Sequence, residues 1–170
     1  RAPSQEQLAS WLAWSAGVTN RKAASVGLLL RAAASAGALY PIDVYVAGAD
    51  AVRYYNPHRH TLHPVGGNID SVRAALHESS AIRGAPLLIV LAATFDRTVH
   101  KYGKRAYRYV ALDAGHIAGN LTVAARATGY ECVLEPWFDD ARLLGAFRGD
   151  AKTEGALLVL GCSLGAKPSN

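Results

Sequence analysis

The sequence lacks methionine entirely, and its 170 residues begin with Arg1. Because translation starts at methionine, we expect that the chain is not a complete translation product and that a segment before Arg1 has been removed. Long tracts of polar residues are also missing, since 51% of the residues are hydrophobic and 18% are charged. This composition excludes extended disorder and predicts a single globular domain over residues 1–170.

Long apolar runs and cysteine motifs are absent as well. A membrane-spanning helix needs about 20 consecutive apolar residues, and the run over residues 85–93 is far shorter. Cys132 and Cys162 form no CxxC motif and have no histidine at zinc spacing. We therefore predict that both are small core residues without a disulfide. With no secretory h-region, the expected location is the cytoplasm.

The familiar nucleotide and nucleic-acid motifs are not found. No GxGxxG or Walker loop follows a predicted strand, and no serine lies in a GxSxG elbow, which argues against dinucleotide, P-loop and serine-hydrolase sites. Lys and Arg number 18 against 13 Asp and Glu, which gives a net charge of +5. The basic residues are scattered, and their clearest cluster is Arg97, Lys101, Lys104, Arg105 and Arg108. Without an aromatic–glycine pattern, this cluster indicates a solvated face or an anionic small ligand, and no nucleic acid partner is expected.

Hydrophobic periodicity predicts an α+β fold. Ser4 and Gln7 stand at capping-box spacing before a helix that Gly17 is expected to end. Further helices are predicted over residues 26–34, 68–77, 103–128 and 139–147. Strands are predicted over residues 42–47, 52–55, 61–65, 86–93, 132–134 and 156–162. Helices and strands in this mixed order favour a layered α+β architecture.

The helix over residues 103–128 is the longest predicted element. Its apolar residues surround the helix axis, a pattern typical of a buried helix at the centre of a domain or in a dimer interface. Asp113, His116 and Asn120 recur on one face of it. This polar stripe either borders a ligand or forms a satisfied interior network, and the network is the favoured interpretation.

Three histidines, His58, His60 and His63, form an HxHxxH cluster that raises the possibility of a metal site. They follow the turn at residues 56–57, and the cluster contains no carboxylate or cysteine. A solvent-exposed turn is therefore favoured, and no metal site is predicted.

Two short segments have the residue types of a ligand site. Small residues in the stretch SAGALYP, residues 35–41, let the backbone approach a flat ligand closely, although a plain connection explains them equally well. Lys101 and Tyr102 place an amine beside a phenol at the end of a strand, as a proton-transfer pair requires. Local sequence alone favours an exposed basic loop for that pair.

Three stretches together resemble a known family. They are SAGALYP at residues 35–41, KYG at residues 101–103, and RAYRYVALDAGH at residues 105–116. In order and spacing they resemble the SagB-type dehydrogenases of the FMN-dependent nitroreductase superfamily, and the match extends to residues 157–161. The resemblance implies a nitroreductase-like α+β fold, with a central, mostly antiparallel sheet flanked by helices and a long buried helix. It also implies a homodimer with FMN at the interface.

Enzymes of this family oxidise thiazolines or oxazolines in modified peptides to thiazoles or oxazoles and pass a hydride to the flavin. By resemblance, Lys101 and Tyr102 match the catalytic pair, one of which removes the proton. By the same resemblance, residues assigned to FMN binding are Arg31, Ser35, Ala36, Gly37, Leu39, Leu134 and Glu135. The family's arginine-rich N-terminal segment, which holds the FMN phosphate, is expected to precede Arg1.

Two alternatives to this activity remain open. One is a flavin-free, nitroreductase-like subunit that binds or holds a partner enzyme or a precursor peptide. The other is a general NAD(P)H-dependent flavin or nitro reductase. For the favoured activity, the expected partners are a modified precursor peptide or other small substrate, a second copy of the chain and other biosynthetic enzymes.

Overall fold

The computed structural model describes residues 1–20 and 29–165. Its helices are α1 (Gln5–Ala16), α2 (Ile69–Arg73), α3 (Asp96–Tyr102), α4 (Ala106–Ala127) and α5 (Asp140–Phe147). Its strands are β1 (Val18–Asn20), β2 (Leu30–Arg31), β3 (Ile42–Ala47), β4 (Val52–Asn56), β5 (Thr61–Gly66), β6 (Leu87–Thr94), β7 (Tyr130–Glu135) and β8 (Glu154–Leu164).

Six strands form one sheet in the order β5-β4-β3-β6-β8-β7. Each neighbouring pair is antiparallel, and β1 pairs separately with β2. The apolar run predicted as a fully buried strand is β6, which lies in the middle of the sheet with seven of its eight residues buried. The sheet and its flanking helices confirm the predicted α+β, nitroreductase-like fold.

Alternate residues of β6 face two separate layers of core, as the period of a strand requires. Ile89 and Leu91 belong to the cluster that α1 and α4 cover, together with Trp11 and Leu121. Leu88 and Val90 belong to the opposite cluster, which α2 and α5 cover. The sheet is therefore sandwiched between two helical layers.

The start of α1 confirms the capping box predicted from the sequence. The Ser4 side chain accepts a hydrogen bond from the backbone N–H of Gln7, and the Gln7 side chain accepts one from Ser4 N–H in return. Gly17 ends the helix as predicted. Trp11 of α1 is fully buried. Its indole N–H donates to Thr128 Oγ1, at the end of α4, at 2.9 Å.

The long helix α4 is buried along one side, from Ala106 and Val110 to Leu121 and Ala125. Its other side carries exposed apolar residues, including Leu112 at 60% and Val123 at 70% exposure. In the part of the chain that the structure describes, none of the helices is both long and apolar enough to cross a membrane.

The structure differs from several predictions of local structure. Within the helix predicted over residues 26–34, Leu30–Arg31 is a strand, because Arg31 pairs with Val18 of β1; residues 26–28 lie outside the described residues. The prediction also missed α3, and the long helix begins three residues late because Gly103–Arg105 forms a 3-10 turn. A seven-residue helix such as α3 is too short to show a clear apolar period.

The prediction for the cysteines was correct about burial and wrong about bonding. Cys132 and Cys162 are both buried, but they form a disulfide. Antiparallel pairing of β7 with β8 places them directly opposite each other, with their Cα atoms 4.2 Å apart. The strand register that brings them together is not encoded in their spacing along the chain.

Gly161 in β8 tests how tightly the sheet packs. A Cβ atom at Gly161 would lie 2.3 Å from Ile82 Cβ, so we expect Gly161→Ala to lower the free energy of unfolding by about 1–3 kcal/mol. The matched control is Gly145→Ala in α5, where nothing lies within 4 Å of the added atom. We expect this control to raise stability by about 0.5–1 kcal/mol. Urea unfolding followed by circular dichroism measures both, and equal effects would contradict the packing described.

Candidate functional site

The two segments singled out from the sequence meet at one end of the central strands. Ile42 at the start of β3 pairs with Ala93 near the end of β6, and Thr94 N–H donates to the carbonyl of Pro41 at 2.8 Å. The loop that precedes β3 therefore lies beside the helix that follows β6. This pairing brings together chain segments that are about 60 residues apart in sequence.

The loop before β3 has an unusual backbone. It contains a short 3-10 turn, Ala36–Ala38, and three of its residues have positive φ: Gly37 at 63°, Ala38 at 55° and Tyr40 at 48°. Glycine adopts this left-handed conformation freely, whereas alanine and tyrosine do so at a cost. The loop therefore needs support from the rest of the protein.

That support comes from Asp113 of α4. Ser35 Oγ donates to its carboxylate at 2.5 Å, and the backbone N–H of Ala36 donates at 3.3 Å. Ser35 Oγ accepts in turn from the backbone N–H of Tyr40 at 2.9 Å. Asp113 is buried, and burial raises the pKa of its carboxyl, an effect that the hydrogen bonds from Ser35 and Ala36 oppose. Asp113 thus has the interior role predicted for the polar stripe, whereas His116 is exposed.

Gly37 packs directly against the predicted catalytic pair. A Cβ atom at this position would lie 2.7 Å from Lys101 Nζ and 2.8 Å from Tyr102 Oη. The sequence predicted this pair at the end of a strand. In the structure it occupies the last turn of α3. Lys101 is exposed and Tyr102 is half-buried, with the Tyr102 ring centroid 4.5 Å from that of Tyr109. An amine and a phenol therefore lie beside a stretch of bare backbone.

Arg31 contacts the same loop through Tyr40. Its backbone N–H donates to Tyr40 Oη at 3.0 Å, and its guanidinium lies 4.7 Å from the centroid of the Tyr40 ring. The Arg31 Nε atom is buried without a hydrogen-bond partner. Leu39 lines the same cavity as Arg31. Arg31, Ser35, Ala36, Gly37 and Leu39 therefore form one continuous region next to the predicted catalytic pair.

Leu134 and Glu135 lie elsewhere in the chain. They are on the edge strand β7, which β8 and β6 separate from β3, a distance of about 14 Å at the usual strand spacing. The Glu135 carboxylate accepts hydrogen bonds from Ser80 Oγ at 2.7 Å and from Trp137 N–H at 3.0 Å. Their assignment to flavin binding stays a prediction.

The sequence prediction overlooked an ion pair beneath this region. Asp43 is buried in β3 and forms an ion pair with Arg97 of α3 at 3.0 Å. Thr94 Oγ1 donates to the same carboxylate at 2.9 Å. An acidic residue within the otherwise apolar stretch IDVYVA was the available signal, because a buried carboxylate needs a partner. The pair ties the start of α3 to the central sheet.

The histidine cluster has ordinary partners. His60 Nδ1 shares a hydrogen bond with Tyr55 Oη at 2.9 Å, and His63 Nε2 shares one with Thr61 Oγ1 at 2.8 Å. Among the described residues, no group of three or more histidine, cysteine, aspartate or glutamate side chains is arranged to hold a metal ion.

Comparison with known proteins agrees with this architecture. The model of the Nitroreductase family matches residues 1–165. The chain belongs to the nitroreductase family. Within that family, it is 36% identical over 106 residues to MJ1384 of Methanocaldococcus jannaschii, a protein classed with the nitroreductases, covering 56% of this chain and 52% of that protein. It is 33% identical over 116 residues to the trifolitoxin-processing protein TfxB of Rhizobium leguminosarum bv. trifolii, covering 61% of this chain and 31% of TfxB.

Solved nitroreductase structures share the fold. One from Anabaena variabilis, also classed as a nitroreductase, superposes with a TM-score of 0.86 at 32% identity, covering 96% of this chain and 36% of that one. A chain of the Escherichia coli microcin synthetase McbBCD complex with truncated pro-MccB17 superposes with a TM-score of 0.81 at 22% identity, covering 96% of this chain and 64% of that one. This chain spans about half the length of MJ1384 and about a third of TfxB.

The buried Asp113 generates a pH-dependent prediction. Since its folded-state pKa is raised above the ordinary value of 3.8, the folded protein binds this proton more tightly than the unfolded chain. The free energy of unfolding of the wild type, relative to Asp113→Asn, should therefore fall as pH rises from 3.8 through the raised pKa. Urea unfolding of both proteins across this window measures the difference. A difference that stays constant or rises with pH would contradict the burial of this carboxyl group.

Proposed function

We propose that this chain is an FMN-dependent oxidoreductase that oxidises thiazoline or oxazoline rings in modified peptides. The observation that carries the proposal is the packing of Gly37 against Lys101 Nζ and Tyr102 Oη, where an added Cβ would lie within 3 Å of both. Because Gly37 has no side chain, these two groups can approach the backbone of the loop proposed to hold a flat ring. The two groups that can move a proton lie at the same place.

The residues around this point fit a flavin. Lys101 Nζ and Tyr102 Oη occupy the space that a Cβ at Gly37 would fill, and the buried Arg31 Nε lacks a hydrogen-bond partner. Backbone from Ser35 to Gly37, with Leu39, would hold the ring system, and Arg31 would face an anionic or carbonyl oxygen. When bound, FMN supplies the hydride acceptor that the oxidation requires.

A side chain of this protein takes up the proton that the oxidation releases together with the hydride. Conversion of an azoline to an azole breaks two bonds to hydrogen in the ring, and it releases one hydride and one proton. Either Lys101, as a neutral amine, or Tyr102, as a phenolate, takes the proton. The hydrogen bonds from Ser35 and Ala36 to Asp113 fix the backbone beside this pair, so the base and the ring keep one relative position.

The relatives support a peptide substrate. TfxB is named for processing trifolitoxin, and the microcin synthetase complex was solved with truncated pro-MccB17 bound. The exposed apolar residues Leu112 and Val123 on α4 support association with a second copy or with another biosynthetic enzyme, since an exposed apolar surface favours burial. The proposed location remains the cytoplasm.

A flavin titration and two variants test the proposal. Adding FMN to the purified protein should give a saturable change in flavin fluorescence. Lys101→Ala and Tyr102→Phe should retain FMN but lose turnover of a thiazoline-containing peptide, by about 100-fold or more for the variant that removes the base. Lys104→Ala and Tyr107→Phe are matched controls, because both side chains are exposed and lie outside the proposed site.

Two outcomes would overturn this function. Failure to bind FMN under any condition would favour the flavin-free binding subunit instead. Rapid oxidation of NADPH by the FMN-loaded protein, without turnover of the thiazoline peptide, would favour a general flavin or nitro reductase. Unchanged turnover in both Lys101→Ala and Tyr102→Phe would remove the catalytic assignment.

A further inference from the structure

The cavity that Arg31 and Leu39 line adjoins the loop at residues 35–41. It has a volume of about 370 Å³, and its lining includes Arg31, Leu39, Tyr40, Tyr54 and Arg97. We call this cavity the arginine pocket. Two cations and two phenols in one concave space form a set of hydrogen-bond donors, the chemistry that recognises an oxyanion.

The charges in the arginine pocket do not cancel. The Asp43 carboxylate forms an ion pair with Arg97 at 3.0 Å and accepts a hydrogen bond from Thr94 Oγ1 at 2.9 Å. Among residues 1–20 and 29–165, no carboxylate forms an ion pair with Arg31. Asp43 also attracts Arg31 through space, but one carboxylate balances only one of the two guanidinium charges in this partly buried space.

Arg31 is also short of hydrogen bonds. Its Nε atom is buried and has no partner, and a buried donor without an acceptor is destabilising. Burial lowers the pKa of the Arg31 guanidinium because the charged form loses water. An anion beside the Arg31 guanidinium would supply the missing charge.

The donors are held in place before any ligand arrives. The Arg31 guanidinium rests against the Tyr40 ring at 4.7 Å, and Arg97 is fixed by Asp43 and donates to the Tyr40 carbonyl at 3.3 Å. Ala38 and Leu39, which line the pocket, directly follow Gly37 in the chain. The arginine pocket therefore lies within a few residues of the backbone that faces Lys101 and Tyr102.

We propose that the arginine pocket is an oxyanion-binding subsite that takes a phosphate or carboxylate group. The rest of that ligand lies over Gly37 and the Lys101–Tyr102 pair. Two sources carry this chemistry, the phosphate of FMN and an acidic group of the substrate. The position of the ligand rests on the proposed function, whereas the binding of an oxyanion by Arg31 does not.

Inorganic phosphate is the probe for the subsite itself. In ¹⁵N-labelled protein at constant ionic strength, added phosphate should shift the Arg31 and Arg97 Nε–H resonances saturably, and chloride should not. The resonances are assigned by their loss in Arg31→Met and Arg97→Met. The Arg126 resonance is the internal control, because residue 126 lies about 20 Å along α4 from Asp113. A shift without saturation, or an equal shift at Arg126, would overturn the proposal.

A matched pair of variants measures how much Arg31 contributes to the affinity for phosphate. Arg31→Met keeps the aliphatic stem against Tyr40 and removes the charge and its donors. Phosphate binding, followed through the Arg97 resonance, should weaken by about tenfold or more, as the loss of a charge-assisted hydrogen bond predicts. Arg126→Met should bind phosphate as the wild type does. Unchanged affinity in a folded Arg31→Met protein, checked by circular dichroism, would also overturn the proposal.

Flavin titrations distinguish the two sources. If FMN competes with phosphate at Arg31 and riboflavin does not, the FMN phosphate occupies the subsite. If both flavins bind by fluorescence and neither affects the Arg31 resonance, the subsite takes an acidic group of the substrate. If neither flavin binds, the proposed function fails, and the phosphate titration still decides on the subsite.

Discussion

The pairing of β6 with both β3 and β8 is the constraint on which the rest of the structure depends. Residues Leu87–Ala93 are buried on both faces, so a slip of one residue would exchange the side chains that face the two helical layers. The same register sets Asp43 opposite Ala92 and leads β6 into α3. The position of Lys101 relative to Gly37 is thus a consequence of strand register rather than of any local motif.

The conformation of the loop before β3 depends in turn on the long helix α4. Ala38 and Tyr40 are held at positive φ, which costs about 1–2 kcal/mol for each non-glycine residue. The hydrogen bonds from Ser35 and Ala36 to Asp113 offset this cost. The helix α4 therefore has two functions, because the residues that pack on the sheet and the carboxylate that holds the loop lie on the same buried side. Without that carboxylate, Ser35 Oγ and the backbone N–H of Ala36 would lose their acceptor.

Local signals account for most of what the sequence predicted. The capping box at Ser4 and the apolar run of β6 depend on neighbouring residues only, and both appear as expected. The disulfide between Cys132 and Cys162 and the ion pair between Asp43 and Arg97 depend on pairing across 30 and 54 residues. No local period reports such pairings, because they are fixed by the register of whole strands.

Prediction of the candidate site depended in the same way on local motifs and failed where distant segments meet. The motifs indicated which residues belong to it, through their resemblance to a family, but composition left the loop at residues 35–41 undecided. What decided its geometry was the contact between Gly37 and Lys101–Tyr102, which joins segments about 60 residues apart. Helix α3, which carries the pair, was missed because seven residues give too few apolar positions to show a period.

Exposure to water weakens the electrostatic interactions of the Lys101 side chain in the candidate site. Lys101 is exposed, and charges in bulk water interact weakly because the dielectric constant is high. Lys101 Nζ and Tyr102 Oη occupy the space beside Gly37 that a Cβ would fill, so the glycine lets these polar groups contact the backbone of the loop. A ligand that covered the pair on its water-facing side would strengthen the electrostatic interactions inside the covered site. In the proposed function, proton transfer at the pair therefore depends on a ligand that excludes water from it.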